Sequence, residues 1–268
     1  MIMQTIHYHW RIHLLTAVLV FGSISIGLGA EPSEYILSNG MKVLLVEVPK
    51  APVATVQVWY KVGSRNEVMG RAGLSHMLEH MMFKGTARYP KGSFSRIVRK
   101  NGGIDNAFTG QDFTAYFENV AADRVGLALE LEADRMQGLL LDHSEFQTER
   151  DVVKEERRLR SEDDPQGALV EALFAQAFLS HPYHWPVIGW FADLDAMSLE
   201  DLQRHYDTFY SPNNATLVVV GDIKADALLP TIKRLFEPIP RGPSPKQTLA
   251  PEPEQRGERR FLLKREAQ

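Results

Sequence analysis

Residues 76–80 read His-Met-Leu-Glu-His, a set of side chains that can bind a metal ion and use it for hydrolysis. On a helix, residues three or four positions apart lie on one face, so His76, Glu79 and His80 project together. The leucines and methionines around them lie toward the other side, where they can pack into a core. The spacing therefore predicts a helix that presents two imidazoles and a carboxylate to a cleft.

A zinc site of this kind needs a third protein ligand from another part of the chain. Two imidazoles and one carboxylate leave tetrahedral zinc a fourth position for water, which is the open arrangement that a hydrolase requires. Glu149 and Glu156 lie seven residues apart in an acidic helical pattern, so they share a face two turns apart. Glu156 is the candidate ligand and Glu149 its supporting carboxylate. Helical spacing alone does not separate Glu156 from Glu155, and such a run is ordinarily a solvated charged face.

With the ligands assigned in this way, Glu79 is free to act as the general base that takes a proton from the attacking water. One zinc ion is the predicted cofactor, although cobalt and manganese suit the same ligands. The alternative is a pair of surface histidines on an ordinary amphipathic helix. The glutamate between the histidines and the acidic second helix favour the metal site.

Strands and helices alternate along the rest of the chain. This mixture predicts an α+β fold, a two-layer domain with a mixed, largely antiparallel sheet packed against helices. A turn at Asn39-Gly40 predicts a hairpin at the start. The predicted strands are 35–37, 41–46, 53–60, 104–108, 113–120 and 216–220, and the predicted helices are 72–84, 93–101, 122–138, 145–160, 166–180, 198–209 and 224–236.

Composition narrows the class of protein. The chain has 268 residues, 44% of them hydrophobic, which is enough for a sizeable core. It carries 30 basic and 34 acidic residues, a net charge of −4, so it has no excess of positive charge for a nucleic-acid partner. It has no cysteine, so neither a disulfide nor a lipid-anchored cysteine is available.

Residues 1–30 resemble a secretory signal peptide. Arg11 precedes a short apolar run, and small residues lead to Ala30, after which cleavage is expected. This pattern predicts an exported protein, periplasmic or secreted from a bacterium, with no membrane span after cleavage. An uncleaved membrane anchor is the alternative, but the run is short for a bilayer and contains glycines and serines.

Proline marks a change toward the carboxyl end. We expect a domain over 31–237, a Pro-rich linker over 238–257 and, at 258–268, the start of a second domain. Residues 260–264, Arg-Phe-Leu-Leu-Lys, resemble a first strand of that second domain.

The motif and its surroundings resemble the inverted zincins, the pitrilysin or insulinase family, and in particular the amino-terminal half of a processing-peptidase-like bacterial member. In that family the third ligand is a glutamate 76 or 77 positions after the motif, which corresponds to Glu156, and its companion corresponds to Glu149. Further segments that look like the family's are 73–75, 83–86, 106–109, 114–116, 181–183 and 210–214.

The resemblance implies a zinc-dependent endopeptidase that cuts extended peptides or unfolded protein segments. It also implies that the strand with Asn106, Ala107 and Phe108 is an edge that pairs with substrate. Asn106 as a mere strand end is the alternative, because asparagine is common at turns. His181 and His184 are interpreted as loop residues rather than ligands.

The family also implies a partner. Its members have two homologous halves around a chamber, so a second half, a separate subunit or a homodimer is expected to complete the active site. The rival hypothesis is a non-catalytic or half-site subunit that binds peptide within a larger assembly. A metal-binding protein without a peptide substrate is a third hypothesis.

Overall fold

Six strands form one mixed sheet in the part of the chain that the computed structural model describes, residues 31–245 and 251–265. The strand order is β1-β2-β6-β3-β5-β4; β2 and β6 are parallel and the other neighbours antiparallel. The strands are β1 (Ser33–Ile36), β2 (Lys42–Glu47), β3 (Val53–Tyr60), β4 (Ile104–Thr109), β5 (Thr114–Ala121) and β6 (Ala215–Gly221).

The central strands show why the sheet has two different faces. Val56 and Val58 of β3 are fully buried, whereas the alternate residues Gln57 and Trp59 are half-buried. Successive side chains of a strand point to opposite faces, so this alternation places one face on the core. The helices pack against that face and enclose a single hydrophobic cluster.

Eight α-helices accompany the sheet within the described residues, which confirms the predicted α+β class. Seven correspond to predicted helices, and the short helix α6 was not predicted. The helices are α1 (Leu74–Met81), α2 (Ser93–Lys100), α3 (Val125–Gly138), α4 (His143–Arg157), α5 (Pro165–Ala177), α6 (Phe191–Ala196), α7 (Leu199–Phe209) and α8 (Ala225–Phe236).

Helix α1 is shorter than the predicted helix 72–84, for a reason that lies in the backbone. Gly73 has φ of +96°, a left-handed conformation that a helix of L-residues does not continue through. A Cβ at Gly73 would lie 2.6 Å from the carbonyl oxygen of Ile188, so the two segments touch through their backbones. The helix therefore begins at Leu74, two residues before His76.

Helix α4 begins earlier than predicted and ends sooner. Asp142 caps it by accepting the N–H groups of Ser144 and Glu145, and such a cap stabilises a helix start. After Arg157 the chain continues as a π-helical turn, Arg158–Glu162. This irregular turn lies directly after the candidate ligand Glu156.

Residues 251–265 contain no regular secondary structure, and no strand pairs with 260–264 in the described ranges. The segment contacts the domain: the Glu252 carboxylate accepts N–H groups from Leu179, Ser180 and His181. The predicted signal peptide, residues 1–30, lies outside the described residues. Among the residues that are described, no helix is long and apolar enough to cross a membrane.

Candidate metal centre

The start of helix α1 is held by a buried carboxylate. Glu67 accepts hydrogen bonds from the N–H groups of Gly73 and Ser75, each at 2.7 Å, so it satisfies donors that the first helical turn leaves unpaired. Burial raises the pKa of Glu67 to about 8, against the opposite effect of these two donors. No role for Glu67 was predicted from the sequence.

Helix α1 packs against α4 and α7, and this packing brings three side chains to one point. One ligand atom from each of His76, His80 and Glu156 lies within 4.8 Å of the others. Nε2 of His80 is 3.2 Å from Glu156 Oε2, and Nε2 of His76 is 3.8 Å from the same oxygen. Two imidazole nitrogens and one carboxylate oxygen suit a divalent cation such as zinc.

The orientation of His80 is set by a second carboxylate. Its Nδ1 donates to Glu149 Oε1 at 2.9 Å, and Lys84 forms an ion pair with the other oxygen of Glu149. A proton on Nδ1 leaves Nε2 as the free lone pair, which is the arrangement of most metal-binding histidines. Glu149 therefore supports the candidate ligand and is not itself one of the three.

The charges at this site are strongly perturbed. Burial lowers the pKa of His76 to about 4, so this imidazole is neutral, as a ligand must be. Burial acts in the same direction on His80, but hydrogen bonds with Glu149 and Glu156 outweigh it and raise the pKa to about 9. The bond with His80 lowers the pKa of Glu156. Glu156 thus faces one neutral imidazole, His76, and one that holds its second proton, His80, and a metal ion would take the place of that proton.

Glu79 lies beside these three residues and has a different partner. Its Oε2 accepts a hydrogen bond of 2.5 Å from the hydroxyl of Thr109, the last residue of β4. Burial raises the pKa of Glu79, and the bond with Thr109 opposes this effect. A carboxylate with a raised pKa, near the metal ligands but outside their cluster, has the properties of a general base.

Five of these residues line a cavity of about 680 Å³, namely His76, Glu79, His80, Thr109 and Glu156. Strand β4 forms one side of it with Asn106, Ala107 and Phe108, and in the described ranges β4 pairs only with β5, so its other edge is free. Helix α5 and the segment after it also line the cavity. Their apolar side chains there include Val170, Phe174, Trp185, Val187 and Ile188.

The structure thus brings four of the five predicted chemical residues, His76, Glu79, His80 and Glu156, to one cavity, and Glu149 contacts His80. Three further residues at the site were not predicted to act there: Lys84, Thr109 and Arg160, which pairs with Glu156 Oε1 at 3.0 Å. Lys84 lies four residues after His80 and Arg160 four after Glu156, so helical spacing carried a signal for both. Thr109 had no such helical-spacing signal.

His181 and His184 lie in a short turn. The N–H of Tyr183 donates to His181 Nδ1 at 3.2 Å, and His184 Nδ1 lies 2.9 Å from the carbonyl oxygen of His181. Both rings therefore make local hydrogen bonds.

Comparison with known proteins shows the family of the chain. The model of the insulinase family, peptidase family M16, matches residues 42–189, and a model described as the peptidase M16 inactive domain matches residues 196–268. The zinc protease PqqE of Helicobacter pylori is 42% identical over 204 residues, 76% of this chain and 46% of that protein. A crystal structure of a protease from Helicobacter pylori has a TM-score of 0.82 and 39% identity, covering 85% of this chain and 56% of that one.

The first half of the periplasmic protease PqqL of Escherichia coli has a TM-score of 0.76 at 22% identity, which shows a shared fold; the match covers 85% of this chain and 51% of that one. Fold and site together define a domain of the inverted-zincin type. The chain belongs to the insulinase family of peptidases, M16, whose model covers more than half of it. It spans about half the length of the curated relatives it matches.

Proposed function

We propose that this chain is the zinc-binding half of an endopeptidase that hydrolyses extended peptides or unfolded protein segments. One observation carries the proposal: His76, His80 and Glu156 converge within 4.8 Å, beside Glu79, in a cavity bordered by a free strand edge. Two imidazoles and a carboxylate, with Glu149 as an outer carboxylate on His80, fit zinc once His80 releases its second proton.

The chain's own residues supply the proton transfers. Zinc, when bound, supplies a Lewis acid that polarises the peptide carbonyl and makes water more acidic. Glu79 takes the proton of the water that attacks the carbonyl carbon, and then gives it to the leaving amine nitrogen as the C–N bond breaks. The second proton of the water also passes to the nitrogen, so the products are a carboxylate and a protonated amine. Glu149 acts through His80, whose ring it orients.

The free edge of β4 supports an extended substrate. A peptide that pairs with β4 as an added strand satisfies its backbone hydrogen bonds there, in the manner of β-augmentation. Asn106, Ala107 and Phe108 are the residues proposed to contact it, since all three line the cavity next to Glu79. A folded protein cannot present such a strand, which favours peptides and unfolded segments.

A second homologous half, as a further domain, a separate subunit or a second copy, is proposed as the partner. The half-length match to curated relatives supports it. The alternative function, a non-catalytic or half-site subunit, rests on the same observation. Export to the periplasm or to the medium is proposed from the pattern of residues 1–30.

The test is cleavage of a quenched fluorescent peptide library by zinc-loaded residues 31–268, with Glu79→Gln as the blank. We expect the variant to keep its zinc and to lose turnover by roughly a hundredfold to ten-thousandfold, the usual contribution of a general base. Unchanged turnover in Glu79→Gln removes Glu79 from the mechanism. No turnover in the zinc-loaded wild type contradicts autonomous activity and favours the half-site subunit.

A further inference from the structure

We propose that Thr109 is a positioning residue, whose hydroxyl holds the Glu79 carboxylate in the orientation that proton transfer from water requires. The inference rests on the proposed peptidase function, in which Glu79 is the general base. Thr109 belongs to strand β4, on the proposed substrate side, and contacts Glu79 of helix α1. It is not one of the three candidate ligands.

The contact between the two residues is direct. Thr109 Oγ1 donates to Glu79 Oε2 at 2.5 Å, across 30 positions of sequence. Charged acceptors make the stronger hydrogen bonds in proteins, and a glutamate has several rotatable bonds to restrain. With Oε2 held by the hydroxyl, Oε1 is the oxygen that remains for the attacking water. The bond therefore selects one of the two carboxylate oxygens for catalysis.

Thr109 can position another side chain only if its own backbone is fixed. It is the last residue of β4, and the turn that follows is held by the segment after β3. The N–H of Ser64 donates to Gly110 O at 3.2 Å, and the N–H of Arg65 donates to Gln111 O at 3.0 Å. A Cβ at Gly63 would lie 2.3 Å from Gly110 O, so the two backbones are in contact.

A side-chain cluster anchors the far end of the same turn. The hydroxyl of Tyr183 lies 2.7 Å from both carboxylate oxygens of Asp112, and Arg65 Nε lies 3.0 Å from one of them. Tyr183 also lines the cavity. The turn is thus tied to two other segments, and the position of Thr109 follows from theirs.

The competing explanation is that Thr109 merely ends a strand. β-Branched residues suit strands, and valine has nearly the shape of threonine without the hydroxyl. A strand-end role is therefore preserved in Thr109→Val, while the positioning role is lost. Thr109→Ser preserves the positioning role and loses the strand-end role, because it keeps the hydroxyl and removes the methyl group.

The kinetic test compares zinc-loaded full chains of the wild type, Thr109→Val, Thr109→Ser and the control Thr216→Val, a half-buried threonine of β6 away from the cavity. We expect kcat to fall roughly tenfold to hundredfold in Thr109→Val, with KM within about twofold and zinc content unchanged. Thr109→Ser stays within about threefold of the wild type, and Thr216→Val matches it. Wild-type kcat in Thr109→Val, or an equal fall in Thr109→Ser, overturns the inference.

A second measurement needs no turnover, so it separates this inference from the proposed function. In metal-free protein labelled with ¹³C at glutamate carboxyl carbons, the Glu79 signal is identified by its absence from Glu79→Gln. The signal is expected to move in Thr109→Val and to keep its position in Thr109→Ser and Thr216→Val. An unmoved signal in Thr109→Val overturns the inference, whether or not the wild type hydrolyses peptide.

Discussion

Two clusters of buried ionisable residues in the described part of the chain are built differently. The Arg135 cluster is Glu118 of β5 with Glu132 and Arg135 of α3, and its side chains are between 0% and 2% exposed. The metal-site cluster is His76, His80, Glu149 and Glu156. Both clusters hold carboxylates in the interior, but only the second opens onto the 680 Å³ cavity.

The Arg135 cluster contains its own cation. The guanidinium pairs with Glu132 and lies 3.4 Å from Glu118. The rings of Phe83, Phe94 and Tyr116 surround it, with centroids 5.2, 4.3 and 4.4 Å away. The carboxylates and rings therefore stabilise the guanidinium from several sides.

In the metal-site cluster the three candidate ligand atoms face one another, and neither nearby Lys nor Arg side chain lies between them. Glu156 Oε2 faces two imidazole nitrogens, and the cations nearby, Lys84 and Arg160, bind the outer oxygens of Glu149 and Glu156. The comparison teaches that burial of charge does not by itself mark a functional site. A functional site is marked instead by ligand atoms that converge next to a cavity, as His76, His80 and Glu156 do.

The largest expected effect tests the Arg135 cluster. Arg135→Ala leaves Glu118 and Glu132 buried without their cation, so we expect the free energy of unfolding to fall by about 3–5 kcal/mol. Urea unfolding at neutral pH measures it, with the exposed Arg124→Ala as a control that changes by at most about 0.5 kcal/mol. A loss below about 1 kcal/mol contradicts the cluster's structural role. If Arg135→Ala does not fold, the triple variant Arg135→Met, Glu118→Leu, Glu132→Leu is expected to fold, because it removes the buried acidic groups together with their cation.

The next largest effect tests the metal-site cluster. His76→Ala should weaken zinc binding by about 3–4 kcal/mol, one ligand's share of the roughly 10–16 kcal/mol of a four-ligand site. Competition with a chelating dye measures the affinity. In the metal-free protein the same change should leave unfolding within about 1 kcal/mol, because no hydrogen bond of His76 Nδ1 to a described residue is lost. Full zinc affinity in His76→Ala contradicts the ligand assignment.

A smaller effect is expected from the carboxylate behind His80. Glu149→Gln removes the charged acceptor of His80 Nδ1 and should weaken zinc binding roughly 10- to 100-fold. Glu155→Gln is the matched control on the same helix, since Glu155 is exposed and pairs with Arg158. Equal affinities in the two variants would show that Glu149 does not orient the ligand.

The smallest effect is a pH dependence of the Arg135 cluster. Burial, reinforced by Glu132, raises the pKa of Glu118 well above 4.5. The folded state then holds a proton that the unfolded state releases above pH 4.5, so stability falls as pH rises through this window. We expect the wild type to lose on the order of 1 kcal/mol more than Glu118→Gln between about pH 5 and about pH 8. Parallel urea titrations measure it, and equal losses contradict the assignment.

Much of the fold could be predicted because the spacing of apolar residues along the chain indicates each strand and long helix. The strand at 53–60 alternates buried and half-buried residues, and helix α1 keeps its apolar residues on one side, so both elements were predicted within a few residues. Helix α6 was missed because six residues are too few for a helical period to stand out. The geometry of His76, Glu79 and His80 is equally local, since one helical turn separates them.

The third ligand marks the limit of local reasoning. Helical spacing left Glu155 and Glu156 as alternatives, and only the family's distance between motif and glutamate selected Glu156. In the structure Glu156 faces the imidazoles, while Glu155 pairs with the exposed Arg158. Packing of α4 on α1 decides this, and no pattern within α4 contains it.

The sequence by itself determined the strands, the long helices and the motif, because each depends on residues within a few positions of one another. Tertiary structure alone decided the parallel pairing of β2 with β6, the contact of Thr109 with Glu79 and the Arg135 cluster. These contacts join residues between 17 and about 170 positions apart. Their geometry depends on how whole elements pack around one core, which a short window of sequence does not encode.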